Sequence, residues 1–211
     1  MKRSAALWVT LVLIFDRQHG DKGRAGKFDT GAVVEAGDGT QLVEVLLTEV
    51  YLRAAMAAAE EAGEPIAYFE SGAYTTRHRR ARALAEELFP RPCAYVAGHL
   101  NAGPPEAGYG ALFYDFRSSG GARLANYVLI ELARACPELD SVKAIPARPD
   151  DWTKNAYYTI KGIFPGPSNL SAICAEPAFL TSPEHRELLT AEGLKRIGEA
   201  IARGCLSWAR D

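Results

Sequence analysis

Residues 7–15, LWVTLVLIF, carry no charge, and the chain then passes at once into Asp16-Arg17-Gln18-His19-Gly20. A strand without a polar face must be covered on both sides, as in a parallel sheet held between two layers of helices. Open sheets of that kind hold ligands beyond the carboxyl ends of their strands. A carboxylate and an imidazole delivered to such an end therefore mark a site more readily than a turn. Two later segments repeat the arrangement: residues 92–98 run apolar into His99-Leu100-Asn101, and residues 170–175 run apolar into Glu176. Of the four histidines, two stand at strand ends of this type.

Between these strands the pattern alternates. A glycine-rich loop over 21–39 carries Lys22, Arg24 and Lys27, yet it matches neither a P-loop, since Asp21 and Phe28 stand where a glycine and a hydroxyl residue are needed, nor a dinucleotide fingerprint. A helix is expected over 41–62, with Asp38 or Thr40 as its cap and Gly63 as its stop. Glu49, Arg53 and Glu60 share a solvent face there, and Glu44 points about 140° away from Glu49, inward among Leu47, Tyr51 and Ala55. A strand at 65–69 precedes an arginine-rich helix from Thr75 to Leu88, in which His78 reads as a surface residue. Strands at 110–116, 141–146 and 153–163 follow, with a helix from Ser118 or Ser119 to Cys136 among them. Helices near 183–189 and 191–209 close the chain, with His185 exposed on the first. The alternation implies an α/β fold, a single three-layer domain over 1–211 with a twisted, mainly parallel sheet and helices on both faces.

Charge speaks against one class of partner: 24 Lys+Arg against 26 Asp+Glu, net −2, gives no sign of the basic face that nucleic-acid binding normally needs. The four cysteines are scattered without CxxC spacing and read as reduced, packed thiols. Lys2, Arg3 and the apolar residues after them imitate a secretory signal, but the run ends in Asp16 where a cleavage site needs small residues. At about 11 residues it is also short of the roughly 20 that span a bilayer. The expectation is a monomer without membrane insertion, made in the cytoplasm without an export signal.

His19, His99 and inward-facing Glu44 form a possible His₂Glu set, the ligand chemistry of a catalytic zinc with an open fourth position. The competing reading is two satisfied core histidines, and a carboxylate that stabilises a helix N-terminus. Asp16 is a candidate acceptor for a ligand imidazole N–H. Glu176, outside the ligand set, is left as general base and acid.

At these residues the chain resembles the zinc-dependent N-acetylmuramoyl-L-alanine amidases of the cell-separation and spore-cortex type, which also occur as phage endolysins. Their Asp-Pro-Gly-His-Gly is similar to Asp16-Arg17-Gln18-His19-Gly20, and their Asp-x-Gly-Ala to Asp29-Thr30-Gly31-Ala32. Their metal glutamate falls on Glu44 when the end of its helix is set on Gly63, with Glu35 as a competitor because the loop before it has no fixed length. Their Thr-Arg resembles Thr76-Arg77, their His-x-Asn-Ala resembles His99-Leu100-Asn101-Ala102, and their Val-Glu-x-Gly-Phe resembles Ala175-Glu176-Pro177-Ala178-Phe179. Arg17-Gln18 and Pro177-Ala178 depart from the pattern while sparing every side chain assigned to chemistry. The resemblance implies peptidoglycan as partner, Zn²⁺ as cofactor, and hydrolysis of the amide between N-acetylmuramic acid and L-alanine by Glu176 as catalytic residue, in an endolysin or autolysin that acts on the cell wall. Asn101, Arg77 and Lys161 are its candidate substrate contacts. The rival readings are a non-catalytic wall-binding domain and a zinc peptidase acting on the stem peptide.

Overall fold

The computed structural model describes residues 10–21 and 28–211; the charged start, residues 7–9 of the apolar run, and Lys22, Arg24 and Lys27 lie outside it. In chain order the elements are β1 (Val12–Arg17), β2 (Val33–Glu35), β3 (Gln41–Val43), α1 (Glu44–Glu61), β4 (Ile66–Phe69), α2 (Tyr74–Glu87), β5 (Cys93–Gly98) and β6 (Tyr109–Asp115). There follow α3 (Ser119–Ala135), β7 (Ser141–Ala147), α4 (Lys154–Ile160), β8 (Leu170–Glu176), a 3₁₀ turn at Pro183–His185, and α5 (Ala191–Arg210).

Six strands form the main sheet in the order β4-β1-β5-β8-β6-β7, parallel throughout except where β6 meets β8. Alternation along each buried strand feeds two cores. Leu13, Phe15, Val96 and Ile173 pack beneath α1, α3 and α5, and Val12, Ile14, Tyr95 and Cys174 beneath α2 and α4. The three-layer α/β expectation is met. Register aligns Arg17 with Gly98 and Gly98 with Ala175, so the residues just beyond β1 and β5 and the end of β8 reach one edge of the sheet. β6 runs the other way, and its first half lies beside Glu176.

The last helix packs close. A methyl at Gly198 would come within 2.1 Å of the Tyr51 carbonyl oxygen, and one at Gly204 within 2.4 Å of the Val128 Cα, so α5 lies against α1 and α3 at glycine distance. All four cysteines are free and buried. Among the described residues, no helix is long and apolar enough to cross a membrane.

Several local expectations are corrected. The helix expected over 41–62 begins only at Glu44, because residues 41–43 pair with 33–35 in a small antiparallel hairpin, and Val43 rather than Asp38 or Thr40 precedes the first turn. The segment 153–163 is helical, not a strand: its buried residues Ala156, Thr159 and Ile160 are three and four apart, and Asp151 accepts from the Thr153 amide at 2.7 Å to set the turn before it. Tyr157, Tyr158 and Thr159 favour strands, but packing against the sheet decided otherwise. His78 is buried, with Nε2 2.7 Å from the Thr159 carbonyl oxygen. His185 is buried too, and its Nδ1 accepts from the Phe179 amide at 2.9 Å. Glu49 does pair with Arg53, at 2.6 Å, but it is not simply on a solvent face, since it also binds Arg17 at 2.8 Å and the Tyr68 hydroxyl.

Candidate active site

Three side chains of metal-ligating type arrive from three elements. His19 follows β1, His99 follows β5, and Glu44 is the first residue of α1, where a carboxylate also suits the positive end of the helix. His99 Nδ1 lies 2.9 Å and His19 Nε2 3.3 Å from Glu44 Oε1. The imidazole rings meet edge to face with centroids 4.9 Å apart. One ligand atom from each of the three lies within 4.8 Å of the others, so the group could hold a metal ion. Glu35 sits exposed on the hairpin opposite Gln41, outside this group.

The backbone around Glu44 explains the Asp29-Thr30-Gly31-Ala32 stretch. Asp29 Oδ2 lies 3.0 Å from His19 Nδ1 and orients that ring, which leaves Nε2 facing Glu44. Ala32 donates its amide to Glu44 Oε2 at 2.8 Å, and Leu100 donates to Oε1 at 3.2 Å. Gly31 takes φ +65°, and a Cβ there would stand 2.5 Å from Glu44 Oε2 and 2.8 Å from His19 Cδ2. Only glycine fits. Gly31→Ala is expected to displace Glu44 or His19 and weaken metal binding roughly 10–100-fold, the usual effect of disturbing the support of a ligand. Competition with a chromogenic chelator reads this directly. Gly37→Ala, with nothing within 4 Å, is the control that should bind as the wild type does.

Electrostatics divide the group. Burial works to raise the Glu44 carboxyl, but hydrogen bonds and charge from His19 and His99 outweigh it and hold the group well below the usual carboxylate range. Burial likewise lowers His19, yet Glu44 and Asp29 more than reverse this and its net shift is upward. For His99 burial wins over Glu44 and the shift is downward, favouring the neutral ring a metal requires.

Glu176 shares the same cavity without belonging to the ligand group. The cavity, of about 360 Å³, is lined by the three ligands, Glu176, Asn101 and Tyr74, with Asn155, Tyr158 and Thr159 of α4 forming another wall. Burial first, and then the charge of Glu44, push the Glu176 carboxyl up to about 7, against hydrogen bonds from Cys174 and Asn101. A carboxyl balanced near neutrality exchanges protons readily in either direction.

The remaining sequence candidates take other positions. Asp16 does not touch His19. It is fully buried on the opposite side of the strand, 3.0 Å from Arg77 and bonded to Gln18 and the Tyr95 hydroxyl, and burial pushes it up to about 6 despite Arg77. Asp29 holds the imidazole instead. Arg77 is buried, and its guanidinium donates to the carbonyls of Arg17 and Gln18 at 2.8 and 3.2 Å, which makes it a clamp on the end of β1. Asn101 reaches the cavity, whereas Lys161 lines the neighbouring groove.

No family model matches the sequence, and no curated protein matches it significantly. Solved structures do match. The N-acetylmuramoyl-L-alanine amidase AmiC2 of Nostoc punctiforme aligns with a TM-score of 0.68 at 21% identity, over 96% of this chain and 98% of its own. The chain has the fold of this amidase. Cwp6 from Clostridium difficile aligns at 0.67 and 21% identity over 94% of this chain, which spans 29% of the Cwp6 chain. The catalytic domain of the CD27L endolysin, targeting Clostridia Difficile, aligns at 0.59 and 14% identity, over 94% of this chain and 97% of its own.

Within this amidase fold, two parts of the site escaped the sequence reading. Asp29 was visible as part of a motif, but its role needed the loop to fold back on His19. Asn155, Tyr158 and Thr159 were hidden by the strand reading of their segment, although the spacing of Ala156, Thr159 and Ile160 was a helical signal.

Proposed function

We propose that this chain hydrolyses the amide between the lactyl group of N-acetylmuramic acid and L-alanine in peptidoglycan, with zinc held by His19, Glu44 and His99. The observation that carries the reading is the pairing of two unlike carboxylates in one cavity, Glu44 tied to both imidazoles and Glu176 free of them. The donors suit the ion. Two imidazoles and a carboxylate are a recurrent catalytic zinc set, one donor atom of each lies within 4.8 Å of the others, and Asp29 supplies the outer hydrogen bond that such sites use. Bound there, zinc would supply Lewis acidity to the scissile carbonyl and acidify the attacking water.

The chain's own groups do the rest. Glu176 accepts a proton from the attacking water and passes it to the departing alanine nitrogen, so the amine leaves neutral and the lactyl group is left as a carboxylic acid, whose remaining proton is lost to solvent to give the carboxylate. Asn101 lines the cavity beside Glu176, and its amide favours the charged form of that carboxyl. Tyr158 and Tyr74 flank the cavity as apolar walls with polar tips, suited to a sugar–peptide junction.

Mass spectrometry of digested, purified peptidoglycan tests the bond. Free peptides beginning with unmodified L-alanine are expected, with no new reducing sugar ends, no free D-alanine, and no release at all after chelation. Muropeptides that all keep the lactyl–alanine bond would refute the proposal, whether the cause were a peptidase, which releases amino acids, or a binding domain, which releases nothing.

A further inference from the structure

A second groove, of about 420 Å³, lies beside the cavity on the face of α2 and α4, lined by Thr75, His78, Arg79, Arg82, Glu86 and Lys161 among others. The partition between the two is thin. Thr159 lines the cavity of the ligand group, and its carbonyl oxygen binds His78 of the groove wall at 2.7 Å. Tyr158, also in the cavity wall, carries Lys161 Nζ 4.1 Å over its ring. Thr75 of the groove adjoins Tyr74 of the cavity, at the start of α2.

Charge distinguishes the groove. Among the described residues, none of Arg79, Arg82 and Lys161 has a carboxylate within 4.0 Å, whereas Arg17, Arg53, Arg77 and Arg117 are each paired. Glu86 is the one acid in the lining. Unpaired cations gathered in a concave surface, on a chain of net charge −2, focus an electropositive field there.

We propose that this groove binds the carboxylates of the stem peptide and makes the enzyme selective for acidic peptides. The inference rests on the amidase reading for the bond cut, while the groove's ligand follows from charge. An N-acetylated glycan whose lactyl acid is tied up as an amide is neutral. The peptide beyond the first alanine carries free carboxylates, at the γ-linked glutamate and at its terminus. A substrate with its scissile amide in the cavity and its peptide crossing the Thr159–His78 partition places those carboxylates between Arg79, Arg82 and Lys161.

Two probes test this with the full chain: a muramyl tripeptide with its glutamate α-carboxylate and its terminal carboxylate both free, and the same compound with both groups amidated. Wild type is expected to favour the acidic compound through KM, and Arg79→Gln/Arg82→Gln to lose roughly three- to tenfold on it while keeping its rate on the amidated one, as expected for partly exposed charge pairs. Calorimetric binding of the free acidic tripeptide, which needs no turnover, should weaken by the same factor and show a matching dependence on salt. Equal losses on both compounds, or unchanged tripeptide binding, overturn the proposal and leave the amidase reading standing. Tripeptide binding that responds to the variants in a protein that cuts neither compound keeps the groove and refutes the amidase. Variants that lose affinity for a polyphosphate chain but not for the tripeptide would assign the groove to a phosphate polymer and overturn the proposal.

Discussion

Glu176→Gln is expected to fold, retain its metal, and lose about 10²–10⁴ in kcat with little change in KM, the usual contribution of a positioned general acid–base group. The substitution preserves shape, but an amide cannot take the proton. Stability should not suffer, because burial disfavours the charged form of this carboxyl and the amide removes that burden. Single-turnover rates on a soluble muropeptide, with metal content measured on the same sample, decide the matter. Near-normal turnover would remove Glu176 from the mechanism, and loss of metal together with activity would make it a part of the metal's support.

Removing a ligand should have an effect of a different kind. His99→Ala and Glu44→Gln are each expected to reduce bound zinc from about one ion per chain to near none, since a three-ligand site has no spare donor. Activity should disappear with the metal, and so should a part of the stability. At a hundredfold excess over its Kd, an ion that binds only the folded state adds about 2.7 kcal/mol, and neither variant should show that gain in thermal unfolding on addition of zinc. Elemental analysis that finds stoichiometric zinc in both variants would place the ion elsewhere.

The layers of the fold could be read from the apolar strands, because burial on both faces leaves a run such as residues 12–15 with no polar position to disguise it. The two histidines were found by the same reasoning, since strand ends are visible wherever such a run stops. Glu44 was placed inward from helix phase, and in the family pattern from the helix end at Gly63, although the helix starts three residues later than its pattern suggested; a phase argument survives an error in the boundary. What failed was whatever depended on neighbours distant in sequence. His78 looked like a surface residue among arginines until α4 covered it, and α4 was itself misread because tyrosines and threonine favour strands when nothing lies beneath them. Asp16 and Asp29 exchanged roles because a strand turns successive side chains to opposite faces. Asp16 was carried towards Arg77, and only a loop closing back from residue 29 could bring a carboxylate to His19.

Tyr51 joins the most distant part of the chain to the chemistry. Its hydroxyl donates to the carbonyl oxygen of His99 at 3.0 Å, while its own carbonyl lies where a methyl at Gly198 would intrude to 2.1 Å. The phenol is thus a strut of fixed length with one end under the imidazole-bearing loop and the other resting on α5, and the single hydrogen at Gly198 sets where that strut begins. Any side chain there would lift α1 and carry Glu44 and the His99 carbonyl with it. A position with no functional group of its own, in the last helix, therefore bears on where Glu44 and His99 meet.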